Sequence, residues 1–245
     1  MNYTHLATEL VKLYSSATVP HFGSVAERSG SEPCRIRRAE NRSVSSLSED
    51  LIAAYCAVNL DEISNIYISP NIKIGSRDAK NGRKKKDGTS RKVPITIKPD
   101  ILLVRAGTVF SQIELKMDVG WRRNSLPNYF KNLVENLNIE KGLKSLNFRA
   151  SRTRGEDKKE VTVAPRARVH CVLVSDQNWN DGDLKDAWKA AEEYRDSLVF
   201  HVLSSGSDGH PNRHDVAVES RIEALEKKFE KTIPKFLEEL REDFL

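Results

Sequence analysis

Two neighbouring stretches, Ile97-Lys98-Pro99-Asp100-Ile101-Leu102-Leu103-Val104 and Ser111-Gln112-Ile113-Glu114-Leu115-Lys116, decide how this chain is read. Both have the apolar content of buried strands, and Ala106-Gly107 between them suits a tight turn. Side chains alternate along a strand, so Ile113 and Leu115 face a core while Glu114 and Lys116 share the other face. A carboxylate beside an ammonium in an apolar strand carries a desolvation cost unless both have partners. Asp100 opens the preceding strand with 13 residues between it and Glu114, and a hairpin brings the two alongside. Two converging carboxylates and a backbone carbonyl suit Mg²⁺, with water and phosphate oxygens filling its octahedron. The plainer alternative is a solvent-facing ion pair on a half-exposed sheet.

Working outward, residues 3–16 carry Tyr3, Leu6, Leu10 and Leu13 at helical spacing. Residues 17–42 show no periodicity and read as a long irregular connection. Leu47, Leu51, Tyr55 and Val58 predict a helix over 46–59, with Ser46-x-x-Glu49 in the form of a capping box. The same helix puts Glu49 on a stripe with Ile52 and Cys56, so Glu49 is either a cap or a residue facing the sheet. Ile66 to Ile74 alternates as a strand that Pro70 marks as an edge or bulge. Strands over 93–105 and 109–118 follow. Pro127 suits the first turn of a helix whose apolar face is Phe130, Leu133, Val134 and Leu137, and Gly142 ends it. Residues 150–165 read as a surface connection, and Val169 to Val174 as a buried parallel strand. A helix over 181–195 and a strand over 198–203 complete a βαβ unit. Val218, Ile222, Leu225, Phe229, Ile233, Phe236 and Leu240 predict a C-terminal helix kinked or broken at Pro234. The expected fold is α/β: a mixed central sheet flanked by helices, in one domain of 245 residues. Its parts are an N-terminal helix and arm (1–45), a core (46–175) and a βα extension ending in a helix (176–245).

Pro99-Asp100 and Glu114-Leu115-Lys116, set on this order of elements, resemble the PD-(D/E)xK nuclease superfamily, the restriction-endonuclease-like fold. The resemblance covers residues 46–175 and implies an αβββαβ core with the acidic pair on its second and third strands. It further implies a Mg²⁺-dependent deoxyribonuclease, with Mn²⁺ able to substitute. Asp100, Glu114 and the Leu115 carbonyl would hold the ion. Lys116 would act on the attacking water and the transition-state charge, and Glu49 would bind a second ion or a water of the first. The reading is a DNA endonuclease of the restriction or phage-defence kind. A homodimer would cut both strands, and a methyltransferase or signalling partner would be encoded nearby. The alternatives are a structure-specific repair nuclease of the same superfamily, or a nuclease-fold module that binds nucleic acid without chemistry.

Charge distribution points to the same partner. The chain is +5, but Lys73 to Lys92 holds nine Lys/Arg against Asp78 and Asp87; that segment is +7, which leaves −2 for the remainder. Such a Gly-containing basic loop is a phosphate-backbone clamp or a solvated loop. In the first case Arg83, Lys84, Lys85 and Lys86 neutralise phosphates, and Arg122 and Arg123 after Trp121 grip another. His210 and His214 stand beside Gly209 and Pro211, which speaks for a loop rather than a metal-binding helix. Three cysteines far apart with no CxxC exclude a disulfide framework and a cysteine-rich zinc site. No GxGxxG, P-loop or GxSxG is present, which removes dinucleotide, NTP-hydrolase and α/β-hydrolase readings. No apolar run is long enough to span a membrane, and the N-terminus lacks a signal-peptide core, so a reduced cytoplasmic setting is expected.

Overall fold

A computed structural model describes residues 2–21, 42–78, 92–117, 126–149, 158–176, 181–206 and 217–245. In chain order the elements are α1 (Tyr3–His21), α2 (Arg42–Asn59), β1 (Asn65–Ile68), β2 (Ile72–Asp78), β3 (Lys92–Ile97), β4 (Ile101–Arg105) and β5 (Thr108–Lys116). There follow α3 (Leu126–Lys141), β6 (Leu146–Arg149), β7 (Lys158–Ser175), α4 (Asp181–Glu192), β8 (Leu198–Ser204) and α5 (Val218–Glu242). The fold is α/β. A mixed sheet runs β1-β4-β5-β7, and the long β7 takes β6 along its first half and β8 along its second. β1, β4 and β5 are antiparallel neighbours, whereas β5, β7 and β8 are mutually parallel.

Helices cover both faces. Ile101, Leu103, Ile113, Leu115, Val172, Val174 and Leu203 pack in one cluster with buried side chains of α1, α2 and α5. Val169, Cys171, Leu173, Leu198 and Phe200 pack in another with those of α3 and α4. Fully buried rings such as Phe130, Phe229 and Phe236 contribute about 1.5–3 kcal/mol each by leaving water. Leu102, Val104 and Val109 belong to a third cluster with Ile72 of β2, Leu146 and Phe148 of β6 and Val161 of β7. Ala106 (φ 49°) and Gly107 (φ 77°) form the turn between β4 and β5, positive φ at both positions being what a two-residue hairpin of this hand needs.

Several expectations are corrected. The strand expected at 66–74 is two, parted at Ser69-Pro70, and that at 93–105 is two, parted at Lys98-Pro99-Asp100. The pieces nearest each other in sequence, β2 and β3, pair as a separate hairpin outside the main sheet. The connection at 150–165 contains the start of β7, whose pairing with β5 is interrupted around Pro165, and β6 was not anticipated. α2 begins at Arg42, so Glu49 lies in the helix interior and is not the third residue of a capping box. Its buried stripe is Ser48, Glu49, Ile52, Ala53 and Cys56, while Leu47 and Val58, expected on the apolar face, are exposed. Pro234 lies inside one continuous α5. Glu230 and Pro234 both lie on the exposed side, where the Glu230 carbonyl left without its helical donor can accept from water.

Candidate active site

Pro99 and Asp100 sit where the β4–β5 ladder ends. Ile101 is paired with Ile113, so Asp100 is the next position along, opposite Glu114. Asp100 Oδ2 accepts the Leu115 backbone N–H at 2.8 Å, a carboxylate standing in for a missing strand partner. That bond draws the carboxylate over β5. Lys116 Nζ then lies 3.5 Å from Asp100 Oδ2, 3.5 Å from Glu114 Oε2 and 3.2 Å from the Leu115 carbonyl oxygen. The pair is no solvent-facing bridge, because Glu114 is 8 % exposed and buried in a strand covered on both faces.

Two further residues complete the site, neither of them singled out by the sequence. Tyr129, in the first turn of α3, donates its hydroxyl to Glu114 Oε2 at 2.7 Å, and its ring centroid lies 5.3 Å from the Lys116 ammonium. Its only sequence signal was position: a hydroxylated aromatic beside Phe130, at the helix start that follows β5. Ser69 holds a left-handed backbone (φ 48°), donates its N–H to the Asp100 carbonyl at 2.7 Å and its hydroxyl to Glu49 Oε2 at 2.9 Å. Glu49, 6 % exposed, is thereby linked to Asp100 through one serine.

Burial, and then the Asp100 charge, push Glu114 up to about 7, with Lys116 and the Tyr129 hydroxyl pulling the other way. Burial by itself would lower Lys116, but Asp100 and Glu114 outweigh it and the net shift is upward, so the ammonium stays charged. Burial and the neighbouring Glu114 raise the Tyr129 hydroxyl, which therefore remains a donor. Glu140, at the far end of α3, is raised to about 7 by burial; it accepts from Gln112 through one oxygen, and its other oxygen has no hydrogen-bond partner among the described residues. Cys171, opposite Glu114 on β7, is free and pushed up to about 12 by burial, which removes it as a nucleophile; Cys56 is also free and buried.

Of the predicted residues, the fold brings Asp100, Glu114, Leu115 and Lys116 into contact and Glu49 to within one residue of them. Arg83, Lys84, Lys85, Lys86, Arg122 and Arg123, like His210 and His214, lie outside the described residues. Among the described residues no three His, Cys, Asp or Glu side chains form a ready metal cage, and no helix is long and apolar enough to cross a membrane. The donor set is instead two carboxylates and a carbonyl around one positive charge, all hard oxygens of the kind Mg²⁺ and Mn²⁺ prefer. No protein-family model matches the chain, and neither a curated protein nor a solved structure matches it.

Proposed function

We propose that this chain is a Mg²⁺-dependent DNA endonuclease of the PD-(D/E)xK kind, acting in restriction or phage defence. One observation carries the reading: Asp100 Oδ2, Glu114 Oε2 and the Leu115 carbonyl converge on a single cationic centre, filled by the Lys116 ammonium. The order of elements supports it. α2, the antiparallel β1, β4 and β5, then α3 and the parallel β7 follow the αβββαβ pattern, with β2–β3 and β6 as insertions.

Asp100, Glu114 and the Leu115 carbonyl would hold the ion, which when bound supplies Lewis-acid activation of water and charge neutralisation at the phosphate. Lys116, no longer required between the carboxylates, offers its ammonium to the attacking water and to charge developing on the phosphate oxygens. Tyr129 fixes the rotamer of Glu114 and helps keep it ionised. Glu49, held by Ser69, orients a water of the same site. The basic stretch between β2 and β3 supplies sequence-independent grip on the backbone.

The test is nicking and linearisation of supercoiled plasmid in Mg²⁺, in Mn²⁺ and in EDTA, with Asp100→Ala and Glu114→Ala as controls. Cleavage is expected with either metal, and loss of it in EDTA and in both variants. Metal-independent cleavage, or a variant with wild-type rates, overturns the assignment.

A further inference from the structure

At the opposite edge of the sheet from β1, a cavity of about 420 Å³ lies between α4, α5 and β8. It shares no lining residue with the Asp100–Glu114 site, and a ligand held in it would be independent of the nuclease reading. Its size suits a small organic ligand rather than an ion or a few waters. Three features describe what would fit.

The first is charge. Arg168, Arg195, Lys231 and Lys235 line the cavity against Glu192 and Glu239. Arg195 is engaged with Glu192 at 3.4 Å, and Arg168 with Asp243, Glu239 and Glu242. Lys231 and Lys235, one turn apart on α5, are ion-paired to no described residue. Among the lining residues four cations face two carboxylates, and the two lysines are the ones without an ion-pair partner among the described residues, so an anion is favoured beside them. The second is a flat apolar face. Trp188 is 46 % exposed at the cavity, its ring held against the buried Phe200 with centroids 4.9 Å apart. A large ring fixed on one side and open on the other is a stacking surface.

The third is a ring nitrogen with no partner among the described residues. His201 lines the cavity and is 8 % exposed. Its Nε2 meets His170 Nδ1 at 2.9 Å, and His170 Nε2 meets Asp243 Oδ2 at 2.8 Å. Asp243 also accepts from Ser111 and Arg168, so the chain of bonds is anchored on β5, β7 and the residue that follows α5, and it locks both rings. His201 Nδ1 makes no hydrogen bond to a described residue. Burial, then His170, Arg168 and Lys235, hold His201 well below its ordinary range, so it enters the cavity as a neutral hydrogen-bonding group. With Nε2 engaged by His170, Nδ1 is left to take a hydrogen bond from a ligand or water.

We infer that this cavity is a second ligand site, built for a nucleotide: the base stacks on Trp188, the phosphate lies between Lys231 and Lys235, and a sugar hydroxyl meets His201 Nδ1. A bare phosphate would leave Trp188 and His201 unused, and an uncharged heterocycle would leave the two lysines uncompensated.

The experiment is calorimetric titration of the full chain in EDTA, which keeps metal out of the Asp100–Glu114 region. AMP, GMP, CMP and UMP are compared with inorganic phosphate and with a short single-stranded oligonucleotide. At least one monophosphate should bind about tenfold or more tighter than inorganic phosphate, a difference of about 1.4 kcal/mol. Lys231→Ser with Lys235→Ser, and separately Trp188→Leu, should each weaken binding about tenfold or more, while Asp100→Ala leaves it unchanged. All three substituted cavity positions are exposed, and circular dichroism checks that the variants keep the fold. No binding by any monophosphate up to ~5 mM overturns the proposal. So does phosphate binding as tightly as the nucleotides, undiminished binding in either variant, or binding of the oligonucleotide without the monophosphates.

Discussion

The Tyr129 hydroxyl donates to Glu114 Oε2 at 2.7 Å, so the first turn of α3 sets both the rotamer and the proton affinity of a carboxylate in the middle of the sheet. The bond lowers a Glu114 that burial has raised to about 7. Tyr129→Phe should therefore move the acid limb of the cleavage profile to higher pH. We expect a loss of about tenfold at pH 6.5, since a hydrogen bond to a charged group is worth about 1.5–3 kcal/mol. Most of that loss should be recovered by pH 8.5. A uniform loss at every pH would mean that the hydroxyl acts elsewhere than on Glu114.

Lys116 occupies the position at which the three oxygens converge, so its two properties can be separated. Lys116→Ala should lower the single-turnover cleavage rate by about 10² or more, because a cation acting on water and transition-state charge contributes mainly to the chemical step. DNA binding measured with Ca²⁺ in place of Mg²⁺ should be unchanged. Weakened binding with an unaltered single-turnover rate would make Lys116 a phosphate anchor instead.

The raised carboxyls give a pH dependence with a definite sign. Glu114 and Glu140, both pushed up to about 7 by burial, bind more protons folded than unfolded between roughly pH 4.5 and 7. Their contribution is fully present below that window and is lost as pH rises through it, at up to about 1.4 kcal/mol per pH unit for each group. Urea unfolding in EDTA should show metal-free stability falling from pH 5 to pH 7. Glu114→Gln should flatten the slope without abolishing it, leaving the share due to Glu140. Metal affinity runs the other way: it rises with pH up to about 7, because the ion needs the ionised carboxylate. His201, held low by burial, contributes with the opposite sign below about pH 6.5 in both proteins, so the difference between them isolates Glu114; a slope unchanged in Glu114→Gln would refute its assignment.

Ser69 separates backbone strain from side-chain function. Ser69→Ala removes the hydroxyl that holds the buried Glu49 and should cost about 1–2 kcal/mol. Ser69→Gly removes the same hydroxyl but relaxes a φ of 48°, which should return about 1 kcal/mol. If Glu49 serves the reaction, both variants lose activity to a similar degree although their melting temperatures differ. Activity that follows melting temperature instead would reduce Glu49 to a structural residue.

The basic stretch has its own test. Replacing Arg83, Lys84, Lys85 and Lys86 with Ser should weaken DNA binding equally for all sequences. It should also flatten the slope of log K against log salt by roughly 0.9 per lost contact on duplex DNA. Stability should change by less than about 0.5 kcal/mol, because a stretch so rich in charge and glycine has little apolar surface to bury. An unchanged slope would end the clamp idea while leaving the cleavage chemistry untouched.

The long periodic elements were legible in the sequence: the face of α3 from Phe130 to Leu137, the apolar run of β7 and the stripe of α5. The contact of Asp100, Glu114 and Lys116 was also legible, because strand alternation and a two-residue turn leave little freedom in the register. What escaped lacked a periodic signal or depended on contacts distant in sequence. β6 is four residues long, too short for its alternation of Leu146 and Phe148 to stand out. The first half of β7 is charged on its exposed positions and interrupted at Pro165, so it passed for a loop. The serine-rich start of α2 favours caps and turns locally, and a capping box at Ser46 was the natural reading. Tyr129 and Ser69 are ordinary in composition, and their importance lies in partners 15 and 20 residues away.

The chain leaves the main sheet after β1 and returns at β4, and these two points are closed by the bond from the Ser69 N–H to the Asp100 carbonyl. β1 and β4 are paired directly, so the 30 residues between Ser69 and Asp100 leave and re-enter the main sheet at one point. Ile72 and Ile74 root its described part in the core beside Leu102, Val104 and Phe148, and β2 and β3 share no ladder with the main sheet. The strands that carry Asp100 and Glu114 thus keep their register through pairs that none of these 30 residues supplies.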